Sequence, residues 1–206
     1  MKDEKGNAGS PIWLIGDSTP KRWENDLEYP LDERHPVIHN IWTPIIYRIQ
    51  KRIYQEKSIM IDMNNDLFYI RNAVTKVDMK PGNSDKCWQK TDLNEQLMKM
   101  KNNINKYDPQ MLITFGAFAF EFVRRCSESE FEFKKEKYGY WGVKKLRKEF
   151  IDAITDKKKI VPLLHVTISR RSWRKNHINF TNDDKGNYFD FTADRLYKRI
   201  MEILKI

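Results

Sequence analysis

The sequence predicts an α/β fold: a three-layer α/β/α sandwich around a four-stranded parallel sheet. Four short apolar runs, at 11–15, 67–70, 111–115 and 160–164, read as buried strands. Longer segments with apolar residues at helical spacing separate them, and strands that alternate with helices form a mostly parallel sheet covered on both faces. No internal repeat of solenoid length interrupts that alternation. At 206 residues the chain is expected to hold one domain, 11–206, behind a flexible polar tail at 1–10.

The elements follow in chain order. The first run, Pro11-Ile12-Trp13-Leu14-Ile15, breaks at Gly16-Asp17-Ser18-Thr19-Pro20, a strand opening into a Gly/Pro-punctuated loop. A long loop is expected over 21–36. Ile41, Ile45, Ile49 and Ile53 then recur every fourth residue, the stripe of an amphipathic helix over 37–55, with Pro44 near its start. The second strand, at 67–70, runs into Arg71-Asn72-Ala73-Val74 and the turn-forming Lys80-Pro81-Gly82-Asn83-Ser84. Asp92 with Glu95 signals a helix start, and Leu93, Leu97, Met100 and Ile104 carry the helix to about 106. After the third strand, Gly116 starts a helix whose Phe118, Phe122 and Val123 are expected to be core. A charged loop and a helix at 143–153 precede the fourth strand. A polar arginine-rich loop then leads to a last helix, with Thr192 as N-cap and Leu196, Ile200, Ile203 and Leu204 facing inward.

Charge is uneven along this order. Residues 134–175 hold fourteen basic and four acidic side chains, a net of +10 beside the fourth strand, so the rest of the chain sums to −1 against the whole-chain +9. Such a run is either a solvated face or the footprint of a polyphosphate. Two cysteines, Cys87 and Cys126, form no disulfide framework and no metal-ligand spacing, which suggests a reducing compartment and no bound metal. The first ten residues lack the apolar stretch of a signal peptide, and no run approaches the roughly 18 apolar residues of a membrane span. The expectation is a cytoplasmic monomer that does not enter membranes.

Three strands end in polar side chains: Asp17 after the first, Asn72 after the second, His165 after the fourth. In a parallel sheet these ends share one edge, where open α/β folds place their ligands. A carboxylate orients or deprotonates water, an amide offers a donor and an acceptor to a planar heterocycle, and an imidazole donates to a developing anion. Each also fits a duller role, Asp17 and Asn72 as turn formers and His165 as a satisfied strand end.

Phe68-Tyr69-Ile70-Arg71-Asn72-Ala73-Val74-Thr75-Lys76, followed by Lys80-Pro81-Gly82-Asn83, resembles the strand, substrate-reading asparagine and Pro-Gly-Asn loop of the uracil-DNA glycosylase superfamily, family 4 type. The segment 109–119 is similar to that family's strand and Gly-x-x-Ala helix start. Val161-Pro162-Leu163-Leu164-His165 looks like the approach to its second motif, and Gly16-Asp17-Ser18-Thr19-Pro20 occupies the place of its first. The departures are Pro20 standing one position late, Val166 and Thr167 where proline and serine are usual, and missing cluster cysteines, with Val77 and Asp78 where one is expected. The resemblance therefore implies the fold without its iron-sulfur cluster and with no other cofactor.

Carried over, Asp17 would position the hydrolytic water, Asn72 would read the uracil edge, and His165 would steady charge on uracil O2. Gly16 and Ser18 belong to the same substrate loop, and Tyr29 and Trp42 are candidates for the aromatic that stacks on the flipped base. Ile168 would wedge into the vacated stack while Arg170, Arg171 and Arg174 hold phosphates of single- or double-stranded DNA. Two rivals remain: a glycosylase-fold protein that binds nucleic acid without cleaving it, and a hydrolase of a free modified nucleotide.

Overall fold

A computed structural model describes residues 2–19, 21, 24–32, 34, 41–61, 67–76, 80–84, 88, 91–127, 137–165 and 171–206. The apolar runs at 11–15, 67–70, 111–115 and 160–164 all become strands: β2 (Ile12–Gly16), β3 (Phe68–Asn72), β4 (Met111–Phe115) and β5 (Ile160–Leu163), with β1 (Glu4–Lys5) ahead of them. Helices α1 (Thr43–Lys57), α2 (Thr91–Tyr107), α3 (Gly116–Ser127), α4 (Val143–Thr155), α5 (Trp173–Thr181) and α6 (Tyr188–Leu204) complete the described elements, with a 3-10 turn at Tyr138–Tyr140.

The sheet order is β1-β3-β2-β4-β5, parallel throughout except for the antiparallel β1. It therefore has five strands, not four, and the additional edge strand comes from within the polar first ten residues. Two residues with no apolar pattern carry no strand signature. What makes them one is pairing, Glu4 with Arg71 and Lys5 with Ile70, and the approach of Gly6, whose positive φ and missing Cβ let it lie against the Phe68 carbonyl.

Alternation along β2 sorts the core into two. Ile12 and Leu14 face a cluster built with α1, α4, α5 and α6, while Trp13 and Ile15 face one built with α2 and α3. Helices thus cover both faces of the sheet, compatible with the expected three layers. The isoleucine stripe of α1 is buried at 45, 46, 49 and 53, and Pro44 stands in its first turn; residues 37–40, expected to begin this helix, lie outside the described residues. Phe118, Phe122 and Val123 are buried as expected.

Two local expectations are corrected. The polar stretch expected as an arginine-rich loop folds from Trp173 onward into α5, because His177, Phe180 and Thr181 find burial against α4 and α6. The last helix begins four residues earlier than Thr192: Asn187 is its N-cap, its side-chain oxygen accepting from the Phe189 and Asp190 N–H groups, and Thr192 is buried within the helix.

Candidate functional site

Strand register brings the polar ends together. Gly16 pairs with Asn72 across β2 and β3, and Phe115 pairs with Leu163 across β4 and β5, so all four parallel strands stop at one edge. The chain turns there with main-chain links between loops: Ala73 N–H donates to the Gly16 carbonyl at 2.8 Å and Val74 N–H to the Asp17 carbonyl at 3.2 Å. A Cβ on Gly16 would collide with the Asn72 amide oxygen, so the first strand end must be glycine for Asn72 to lie against it.

Asp17 is buried at this edge. One carboxylate oxygen accepts the Ala119 N–H from the first turn of α3 at 3.1 Å, where the helix N-terminus favours negative charge. The other is ion-paired with the Lys80 ammonium. Asn72, also buried, donates one amide hydrogen to Thr19 Oγ1 at 3.0 Å, which fixes the plane of the amide. His165 is half-buried, one residue beyond the end of the buried run. It meets the others through Gly116: a Cβ there would stand 2.7 Å from the His165 Cβ and 3.7 Å from the nearer Asp17 oxygen. Gly116 has φ +91°, because β4 runs straight into α3 without a loop.

Asp17, Asn72 and His165 thus come from three separate strand ends to one edge of the sheet. Gly16 and Ser18 lie in the same group, Ser18 half-buried beside Asp17. The remaining candidates are spread more widely. Trp42 is a core residue, edge-on to Phe68 at 5.8 Å and Phe115 at 5.4 Å, and its burial argues against the base-stacking role. Tyr29 is half-buried on the β1 side, with the Lys5 ammonium 4.0 Å from its ring centroid. Arg171 and Arg174 are exposed beyond β5, Arg174 in the first turn of α5. Ile168 and Arg170 lie outside the described residues.

Sequence reasoning treated Lys80 only as part of a turn. Its ammonium reaches Asp17 across 63 positions and sits 5.5 Å from the ring centroids of both Phe118 and Tyr138. The turn that carries it is clamped from outside: the Tyr138 hydroxyl donates to the Pro81 carbonyl at 3.1 Å, and the Gly139 N–H donates to the Asn83 side-chain oxygen at 2.9 Å. Thr19 was likewise read only as part of the first loop, and Gly116 only as a helix start. A glycine joining a strand directly to a helix was a readable signal, whereas nothing in the spacing of Lys80 points to Asp17.

Another group supports the floor of the site. Tyr188, at the start of α6, accepts the Leu164 N–H at 2.9 Å just before His165, and burial pushes its phenol well above the usual tyrosine range. Upstream, fully buried Asp32 accepts from the backbone N–H groups of Glu28 and Arg34 and from the Arg34 guanidinium. Burial alone would raise this carboxyl, but the Arg34 and backbone hydrogen bonds outweigh it and bring it down to about 2. The bonds hold the loop whose Leu31 side chain packs at Gly16.

Among the described residues no group of three or more His, Cys, Asp or Glu side chains is placed to hold a metal ion, and no helix is long and apolar enough to cross a membrane. In comparisons with known proteins, no family model and no curated protein matches this chain.

Proposed function

We propose that the protein is a uracil-DNA glycosylase-like hydrolase that removes uracil, or a related damaged base, from DNA. The observation that carries this reading is the meeting of Asp17, Asn72 and His165 at the strand edge around Gly16 and Gly116. A base in a duplex cannot reach such an edge, so it is flipped out, and contacts to its rim offset the lost stacking. The Asn72 amide, held by Thr19, presents a donor and an acceptor to the pyrimidine edge. As the C1′–N1 bond breaks, charge grows on the base and His165 donates to it. Asp17 stabilises the oxocarbenium-like sugar and orients the water that adds to C1′, giving free base and an abasic site. The basic 134–175 segment supplies phosphate contacts, and the protein acts as a monomer.

The test is incubation with single- and double-stranded oligonucleotides carrying uracil, followed by alkaline cleavage of abasic sites. His165→Ala and Asp17→Ala are each expected to lower kcat by about 10²–10³, the scale of one lost transition-state contact. Activity that survives both changes rejects the site.

One observation favours a second reading. Both Asp17 oxygens are engaged, by Ala119 and Lys80, as they would be in a carboxylate that only ties loops together. On that reading the fold binds nucleic acid without cleaving it, and the same assay returns salt-sensitive binding with no abasic product.

A further inference from the structure

Next to the strand edge lies a groove of about 580 Å³ that the proposed reaction does not use, formed where α5 and α6 begin. Its floor is aromatic. Trp173 meets His177 edge-on at 5.3 Å, His177 stacks on Tyr188 at 4.7 Å and 27°, and Phe189 meets the same imidazole edge-on at 5.4 Å. Its rim is cationic: Arg48, Arg174 and Lys185 line it against the single acid Asp184, and Arg48 is already paired with Asp190. Trp173 is half-buried, while Arg174 and Lys185 are exposed. The Tyr188 hydroxyl that accepts the Leu164 N–H ties this floor to the strand end carrying His165.

We infer that this groove is a nucleotide-binding subsite, in which a base lies against Trp173 and its phosphate is held by Arg174 and Lys185. A ring face gives a sequence-tolerant stacking surface and paired cations take a phosphate, together the requirements of a single-stranded nucleotide. The volume admits one nucleotide. Because β5 ends beside the groove, its occupant under the proposed function is a nucleotide of the strand that reaches His165. A free nucleotide offers the same chemistry. The inference needs no glycosidic cleavage, so it stands or falls separately from the proposed reaction.

The test uses the full chain and a fluorescent, uracil-free oligothymidylate, read by anisotropy. Arg174→Glu with Lys185→Glu is expected to weaken binding at least about tenfold and to flatten its salt dependence, and Trp173→Ala to weaken it by about tenfold. Thermal melts establish that each variant is folded; if Trp173→Ala is not, Trp173→Phe replaces it, with loss of the oligonucleotide-induced quenching as its readout. Lys101→Glu with Lys106→Glu makes the same charge change on the opposite face and is expected to leave affinity within about twofold. Displacement by thymidine monophosphate assigns the groove to free nucleotides, and resistance to it assigns the groove to a strand. Unchanged binding in the groove variants, or an equal loss in the control pair, overturns the inference.

Discussion

His165 depends on a hydroxyl it does not touch. Tyr188→Phe keeps the ring against His177 and Phe180 but leaves the buried Leu164 N–H without its acceptor, an omission that costs about 1–3 kcal/mol. Urea denaturation is expected to show that loss with an unchanged m-value, and a fall in kcat should accompany it, since the strand end that aims the imidazole is loosened. At Asp32 the prediction concerns pH. Its folded pKa of about 2 lies below the roughly 3.9 of an unfolded aspartate, so its stabilising contribution is complete above about pH 5 and disappears as pH falls through 2. Denaturation midpoints measured from pH 5 to pH 2 are therefore expected to fall faster for the parent than for Asp32→Asn. A constant difference between the two would show that the Arg34 bonds do not govern the titration.

At the scale of elements, the junction of β4 with α3 controls the site. A strand that enters a helix without a loop forces Gly116 to φ +91°, and the space its missing Cβ leaves is taken by His165. Gly116→Ala adds both backbone strain and a collision at 2.7 Å, and the imidazole must shift. Stability is expected to fall by about 1–3 kcal/mol. Cleavage is expected to drop at least about tenfold through kcat, with oligonucleotide affinity little changed. An alanine variant with parental kcat would mean that His165 tolerates the shift and does not act at the reacting base. The junction was half legible in the sequence, where Phe115-Gly116 marks the change of period but not the neighbour occupying the space. The start of α5 was less legible, because Arg174, Lys175 and Asn176 mask a helix that only His177, Phe180 and Thr181 recruit to the core.

For the whole molecule the governing quantity is charge concentrated in one stretch of the chain. With a net +10 in 134–175, binding to DNA is expected to weaken with salt along a straight line in logarithmic coordinates. For about three neutralised phosphates the affinity for duplex DNA should fall roughly 40-fold on a fourfold rise in salt. A titration by anisotropy measures that slope, and a flat line would reassign the basic segment to a solvated face. Lysines on α4 and in the turn after it already use part of this charge internally: Lys148 pairs with Asp152, Lys157 with Glu202 and Lys159 with Asp108, all at the surface, where such pairs contribute little.

By itself the sequence determined the four parallel strands, most helices and the three polar residues at the strand ends, because hydrophobic period and turn chemistry act within a few residues of one another. Only the tertiary structure decided that Lys80 faces Asp17, that Gly116 makes room for His165, that Glu4–Lys5 completes the sheet and that Trp42 belongs to the core. Each of these is a contact between segments distant along the chain. Its energy comes from burial and pairing that exist only once the strands are ordered, so no local pattern of residues encodes it.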